Sequence, residues 1–302
     1  MDRLAAMQCF IRVAESGSFS AASRQLNVGQ PAVSKTISQL EDWLGARLVL
    51  RSTRQVSLTE DGQRFLEAAR NAVEAADAAE ALITGRSGTP SGRIKVAASV
   101  AFARLHIVPR LGRLFARYPE LNVELIVSDR FIDLVEEGID VAIRIGELKD
   151  PGLVARRVGL MGRVTVARPD YWDRAGRPEH PDDLKNHECL IYTGLASATW
   201  DYTGPDGPIS VKAQGRFRAS TSDAMREAVL EGLGVGLTPY WFWKNELRDG
   251  TIEQVLPTFE PTRRPIQAVF PERRLVAPRV RAFVDFLAQE FRLEPSLSDY
   301  GA

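Results

Sequence analysis

Residues 84–93, TGRSGTPSGR, are the strongest single constraint on how this sequence folds. Glycine, serine and proline dominate them, which is the composition of a flexible connector. Before them, apolar residues recur every three or four positions, the helical period. After them, short apolar runs alternate with helical stretches. A mostly helical head and an alternating strand–helix body do not share one core, so the 302 residues form more than one domain.

In the head, Leu4, Met7, Ile11 and Ala14 fall on one helical face, and Gly17 stops that helix. Ser18 caps a second short helix carrying Ala21, Ala22 and Leu26. Asn27, Val28 and Gly29 are turn chemistry, since Asn and Gly tolerate a left-handed backbone. Pro31 sits in the first turn of a third helix, where its missing N–H costs nothing. Val33, Ile37, Leu40 and Leu44 form the buried stripe of that helix, and Gly45 ends it. In RLVLRSTRQVSLT, Leu48 and Leu50, then Val56 and Leu58, alternate about a polar tip at 51–54, which predicts a two-stranded wing.

Thr59 caps the next helix, with Glu60 and Asp61 in the first turn where the helix dipole favours negative charge. Phe65, Leu66, Ala69, Val73, Ala76 and the alanines at 79–81 give it an apolar stripe of little bulk. No partner adjoins it in sequence, so the expected partner is a second copy, approached closely across alanine. Residues 1–58 hold seven Lys and Arg against four Asp and Glu, whereas residues 60–80 hold two against six. A basic head on an acidic segment is the asymmetry in a chain of zero net charge.

Beyond the connector, RIKVAAS and NVELIVS read as strands, ARLHIVPRLGRLFARYP and RFIDLVEEG as helices, and DVAIRIG as a third strand. This alternation predicts a mainly parallel sheet with helices on both faces. The pattern loosens across 160–215. It resumes in STSDAMREAVLEGLGVGLTP as a capped helix and a strand, and the chain closes with a helix at about 277–292. The expected organisation is a winged helix-turn-helix at 1–59 (helix-turn-helix about 19–38), a linker helix at 60–84 and a hinge at 85–92. A two-lobed α/β domain follows at 93–302, with lobe 1 at about 93–162 and 267–292 and lobe 2 at about 163–266.

Several classes are disfavoured. No apolar run approaches the roughly 18 residues of a membrane span, and MDRLAAMQ lacks the apolar stretch of a signal peptide. Cys9 and Cys189 are far apart and without metal spacing, which fits a reducing cytoplasm. His106, His180 and His187 likewise lack ligand spacing, so neither metal nor cofactor is expected. Nucleophile-elbow, P-loop and zinc-protease patterns are absent, and GLGVG runs into LTP instead of opening a helix, so the chain is not read as an enzyme. A transport-type solute-binding protein accounts for residues 92–302 but not for the first 90.

Two short helices, a tight turn and a second helix with small polar side chains are what reading a DNA major groove requires, because the groove admits one helix. Ser34 and Ser38, one turn apart, allow close approach. Gln30 can bond an adenine edge, Lys35 can reach guanine or phosphate, and Pro31 begins the helix whose free amides face the backbone. Arg51 and Arg54 at the wing tip suit the adjacent minor groove.

The stretch FSAASRQLNVGQPAVSKTISQLEDWLGARLVLRSTRQVSLTEDG, the long helix after it and GRIKVAAS resemble the LysR-type transcriptional regulators across essentially the whole length. Val49, where that family usually has Phe, and Glu60, where Pro often follows the capping Thr, are departures that touch packing and helix entry more than chemistry. The resemblance implies a cytoplasmic regulator, tetrameric through linker-helix dimers, bound to an interrupted palindromic operator and acting with RNA polymerase. It places Gln30, Pro31, Ser34, Lys35 and Ser38 on the recognition helix and Arg51 and Arg54 on the wing. It also implies a small effector between two lobes similar to those of periplasmic binding proteins.

In open α/β sheets ligands sit beyond the C-terminal strand ends. There stand Ser99, Val100, Ser128 and Arg144 from the first lobe, and Thr193, Thr221 and Thr238 from the second. Five hydroxyl groups and an arginine suit a small organic anion, although Ser and Thr at helix starts also serve as plain caps and Arg144 can pair with Glu147. Trp200, Trp241, Phe242 and Trp243 read as buried aromatic packing, and Cys9 as a small core residue.

Overall fold

In the computed structural model, residues 1–51, 56–84, 90–147, 153–194, 198–271 and 276–298 are described. The chain divides into two compact units, the first built on residues 1–88. That unit contains α1 (Arg3–Ser16), α2 (Phe19–Gln25), α3 (Gln30–Leu44), β1 (Val49–Arg51), β2 (Val56–Leu58) and α4 (Glu60–Thr84). Ser18 Oγ caps α2 by accepting from the Ala21 amide, and Asn27 takes a left-handed φ of 52° in the turn before α3. Val33, Ile37 and Leu40 are fully buried along α3, as their spacing requires.

The buried face of α1 is Ala6, Cys9, Phe10 and Val13, while Leu4, Met7, Ile11 and Ala14 are only half-buried. The reason is a long-range partner. α4 packs on α1, with the Phe65 ring tilted against Phe10 at 5.5 Å between centroids and Ala69 fully buried in the same core. Burying a side chain like Phe10 is worth about 1.5–3 kcal/mol, enough to choose the face. The first part of the α4 stripe is therefore covered by this chain's own α1, not by a second copy.

The wing also departs from simple alternation. Leu48 and Val49 are both buried, whereas Leu50 is 57% exposed. Glu41 of α3 breaks the parity: its carboxylate, 2% exposed, accepts from Leu48 N (2.8 Å), Val49 N (3.1 Å) and Arg47 Nη1 (2.8 Å). Thr59 Oγ1 donates to Arg47 O at 2.6 Å and accepts from Gly62 N at 2.9 Å, tying α4 to the same corner. Gly62 is required there because a Cβ would overlap the Leu48 carbonyl oxygen.

The second unit begins with β3 (Gly92–Ala98), then α5 (Val100–Phe102) and α6 (Val108–Arg117) joined through a π-helical turn at Ala103–Ile107. β4 (Leu121–Val127), β5 (Val141–Ile145) and β6 (Leu153–Met161) complete the first pass through lobe 1. The chain then enters lobe 2 with β7 (Arg163–Ala167), α7 (Pro169–Ala175), β8 (Ile191–Tyr192), β9 (Thr199–Gly204), β10 (Gly207–Lys212) and β11 (Arg218–Ala219). α8 (Ser222–Leu230), β12 (Gly236–Pro239), α9 (Lys244–Asp249), β13 (Glu253–Val255) and β14 (Glu260–Pro261) follow. β15 (Arg264–Pro271) and α10 (Pro278–Arg292) return to lobe 1.

The lobe 1 sheet has the order β4-β3-β5-β15-β6, parallel in β3–β4 and β3–β5 and antiparallel where β15 inserts beside β5 and β6. Arg264 already pairs with Met161, so the return to lobe 1 precedes residue 267. Lobe 2 is not a parallel sheet. It is built from β12-β7-β13 and β10-β9-β14, both antiparallel, and the short parallel pair β8–β11. Tight returns such as the one between β9 and β10 make antiparallel hairpins within the stretch where the strand–helix alternation loosens. RFIDLVEEG is likewise not helical: Asp133 Oδ1 accepts from the Val135 and Glu136 amides, closing a local turn that competes with a helix. Trp200, Phe242 and Trp243 are buried, and Trp241 is half-buried.

Candidate nucleic-acid interface and ligand cleft

α3 divides its residues sharply. With Val33, Ile37 and Leu40 committed to the core, Gln30, Pro31, Ala32, Lys35 and Gln39 are exposed, and Ser34 and Ser38 are half-buried along the flank. The exposed face begins at the helix N-terminus, where the first amides have no intrahelical acceptor. Gln30 Oε1 accepts from Ser20 Oγ at 2.8 Å, so α2 fixes the orientation of the first side chain on that face. Gln39 and Ser20 belong to this surface by position, and a heptad plot centred on Lys35 would have found Gln39. Arg51 lies at the end of β1, and Arg54 falls outside the described residues.

In the second unit the strand ends bring most of the expected cleft residues together, but on terms of their own. Ser99 precedes α5 without a side-chain cap bond, and the Val100 amide is taken: it donates to Asp129 Oδ1 at 3.2 Å. Ser128 Oγ accepts from Arg130 N at 3.0 Å, a local turn. Thr221 Oγ1 caps α8 through the Ala224 amide, and the Thr193 backbone N–H donates to Ala219 O at 2.8 Å, leaving the Thr193 side chain exposed. Arg144 Nη2 donates to Ile132 O at 2.8 Å and its guanidinium stacks 4.0 Å from the Phe131 ring, so it serves the 128–139 loop.

Thr238 is a correction. It is 3% exposed and its hydroxyl accepts from Trp243 Nε1 at 2.6 Å, which makes it a core support with no face toward a ligand.

Residues outside the expected set adjoin these positions. Asp129 is held above the usual carboxylate range by burial and by the charge of Asp223, against the lowering effect of the Val100 N–H. Arg104 Nη2 reaches from lobe 1 to Asp223 Oδ1 of lobe 2 at 2.8 Å. Burial, with the charge of Asp129, raises the Tyr192 phenol, whose hydroxyl is bonded to Ser222. Both a backbone amide and a guanidinium in this cleft thus already hold a carboxylate of the chain itself. Among the described residues no cluster of three or more His, Cys, Asp or Glu could hold a metal ion, and no helix is long and apolar enough to cross a membrane.

Comparison with known proteins gives both halves a counterpart. Residues 4–63 match the family described as "Bacterial regulatory helix-turn-helix protein, lysR family", and residues 87–292 match the "LysR substrate binding domain". The chain is 32% identical over 293 residues to the HTH-type transcriptional activator AaeR of Escherichia coli strain K12, covering 96% of this chain and 94% of that protein. It is 34% identical over 285 residues to the HTH-type transcriptional regulator CrgA of Neisseria meningitidis serogroup C, covering 93% and 94%. Among solved structures, full-length AphB, the Vibrio cholerae virulence activator, superposes with a TM-score of 0.57 at 30% identity over 95% of this chain and 98% of that one. CrgA from Neisseria meningitidis gives a TM-score of 0.59 at 31% identity over 94% and 97%.

Proposed function

Because the chain belongs to the LysR family of transcriptional regulators, and is thus a DNA-binding regulator with an effector-binding domain, we propose which of its residues carry each task. α3 enters the major groove with Gln30, Pro31, Ser34, Lys35 and Ser38 against bases and phosphates, while Arg51 and Arg54 of the wing contact the flanking backbone or minor groove. Residues 1–59 are the DNA-binding head, 60–84 the linker through which two heads pair on an interrupted palindrome, 85–92 the hinge, and 93–302 the effector domain. Two such dimers make a tetramer that acts in the cytoplasm with RNA polymerase, and no reaction is assigned to the chain.

The observation that carries the reading is the division of α3: Val33, Ile37 and Leu40 are internal and Leu44 is half-buried, while Lys35 and its neighbours stand in solvent. Gel-shift titration over a salt series tests it. Lys35→Ala should reduce affinity on every sequence and flatten the logarithmic salt slope by about one. Ser34→Ala should instead relax base preference at one position. Unchanged binding and slope in Lys35→Ala would remove α3 from the interface.

For the cleft, we infer a small organic anion held between Ser99, Val100, Ser128, Thr193 and Thr221, with Arg144 behind them. The internal carboxylates support this chemistry: an effector carboxylate enters by exchanging with Asp129 at the Val100 amide or with Asp223 at Arg104. Screening organic acids against the melting point of the full chain tests the class, since a ligand of the native state raises it by mass action. Asp129→Asn should tighten binding of the acid that stabilises the wild type. Stabilisation by amines alone would reverse the assignment.

A further inference from the structure

Arg163 is 8% exposed, and no carboxylate approaches it within 4.0 Å among the described residues. Its Nε and Nη2 both donate to a single neutral acceptor, the Thr262 carbonyl, at 3.1 and 2.7 Å. A buried guanidinium ordinarily has a counter-ion, because a backbone carbonyl replaces only part of the hydration that the charge loses. Instead, the charge that acts on it most strongly is another cation. Burial and the positive charge of Arg264 lower the Arg163 pKa to about 10, against smaller opposing effects of Tyr202 and Asp201, so it stays charged at neutral pH.

Arg264 is itself short of partners. Its Nε is buried with no hydrogen-bond acceptor, and its Nη2 stands 4.0 Å from Asp201 Oδ2. The other Asp201 oxygen is occupied, accepting from Ser210 Oγ at 2.8 Å. Two guanidinium groups therefore have between them one carboxylate, which only Arg264 meets, at the limit of ion-pair distance. One quarter of the Arg264 side chain remains exposed, which gives the pair a route to solvent.

We propose that Arg163 and Arg264 form a binding site for a small oxyanion where the chain crosses between the two lobes. Arg163 is the first residue of β7, on the outward crossover. Thr262 and Arg264 lie on the return, between and at the ends of β14 and β15. A planar guanidinium offers paired N–H donors that match the oxygens of phosphate, sulfate or carboxylate, and the orphaned Arg264 Nε supplies a further donor. None of these residues belongs to the strand-end cleft, so the site is a second anion input, independent of the effector assignment. Occupancy would join the two crossovers through a shared counter-ion.

The test is thermal unfolding of the full-length chain in sodium phosphate, sulfate or acetate, each against sodium chloride at equal ionic strength. At about ten times its Kd, a bound oxyanion should raise the midpoint by about 2–4 °C. Arg163→Gln, which keeps an N–H donor for Thr262, should abolish the rise, and Arg264→Gln should weaken the fitted Kd at least tenfold. The ranking of the three anions names the chemical class. Should Arg163→Gln fail to fold, Arg264→Gln decides alone, because its side chain reaches the surface. No rise above chloride for any of the three anions, or an equal rise in the wild type and Arg264→Gln, would overturn the proposal.

Discussion

Ala75→Asp in the full-length chain should weaken binding to a two-half-site operator by about 10²–10⁴-fold, the loss expected when two linked contacts become two separate ones. α4 is 25 residues long, about 37 Å of helix. On its inward side Ala69 is buried in the core of the head, and Val73, one turn on, is 8% exposed. Ala68, Ala72, Ala75 and Ala79 are exposed, at spacings of four, three and four residues, which is the heptad rhythm of a helix–helix seam. Alanine at each position allows close approach, and a carboxylate at the centre would lose its water without gaining a partner.

The substitution reports on pairing and not on folding. Asp costs an exposed helix position only about 0.7 kcal/mol, so the head stays folded. Val73→Asp would confound the two effects, because Val73 is 8% exposed and lies on the inward side. Fluorescence anisotropy with one and with two half-sites, beside light scattering of the free protein, separates the outcomes. The variant should match the wild type on a single half-site and fall behind on two. Equal affinity on both probes would rule out α4 as the joint.

What the sequence made readable follows from how local the determinants are. Ser18, Asn27, Gly29, Pro31 and Gly45 act within a few residues of themselves, and the helix-turn-helix is legible from them alone. The face of α1 was not, because Phe65 and Ala69 decide it from more than fifty positions away. Glu41 escaped notice for the same reason: nothing in QLEDWLG marks a glutamate that will be buried by amides seven and eight residues on. Strand ends mark where Val100 and Ser128 stand in the fold, yet periodicity carries no information on which hydroxyl is already spent. Thr238 and Trp243 settle that within the lobe 2 core, and Asp129 settles it at Val100.

Removing the Glu41 carboxylate should produce the second large effect, a loss of head stability of about 3–5 kcal/mol in Glu41→Ala. Two buried amides, Leu48 and Val49, would lose their acceptor, and Arg47 its counter-ion. At roughly 4–8 °C per kcal/mol for a unit of this size, the melting point of the head should fall by well over 10 °C. Operator affinity falls with it, since this carboxylate ties the wing to α3. Glu41→Gln keeps one carbonyl acceptor and should lose less.

The same group sets an acid limit. Burial pushes the Glu41 pKa up, but the Leu48 and Val49 amides and Arg47 together outweigh it, and the net shift is below the ordinary 4.5. A depressed folded-state pKa contributes stability that is complete above the unfolded value and disappears as pH falls through the folded one. Urea melts of the wild type and Glu41→Gln should therefore differ by a constant amount from about pH 7 down to about pH 5, and the gap should close under further acidification. No gap at neutral pH would mean that the wing is held to α3 by packing of Leu48 and Val49 alone, and a gap that stays open below that range would mean that the ionised form of Glu41 is not its source.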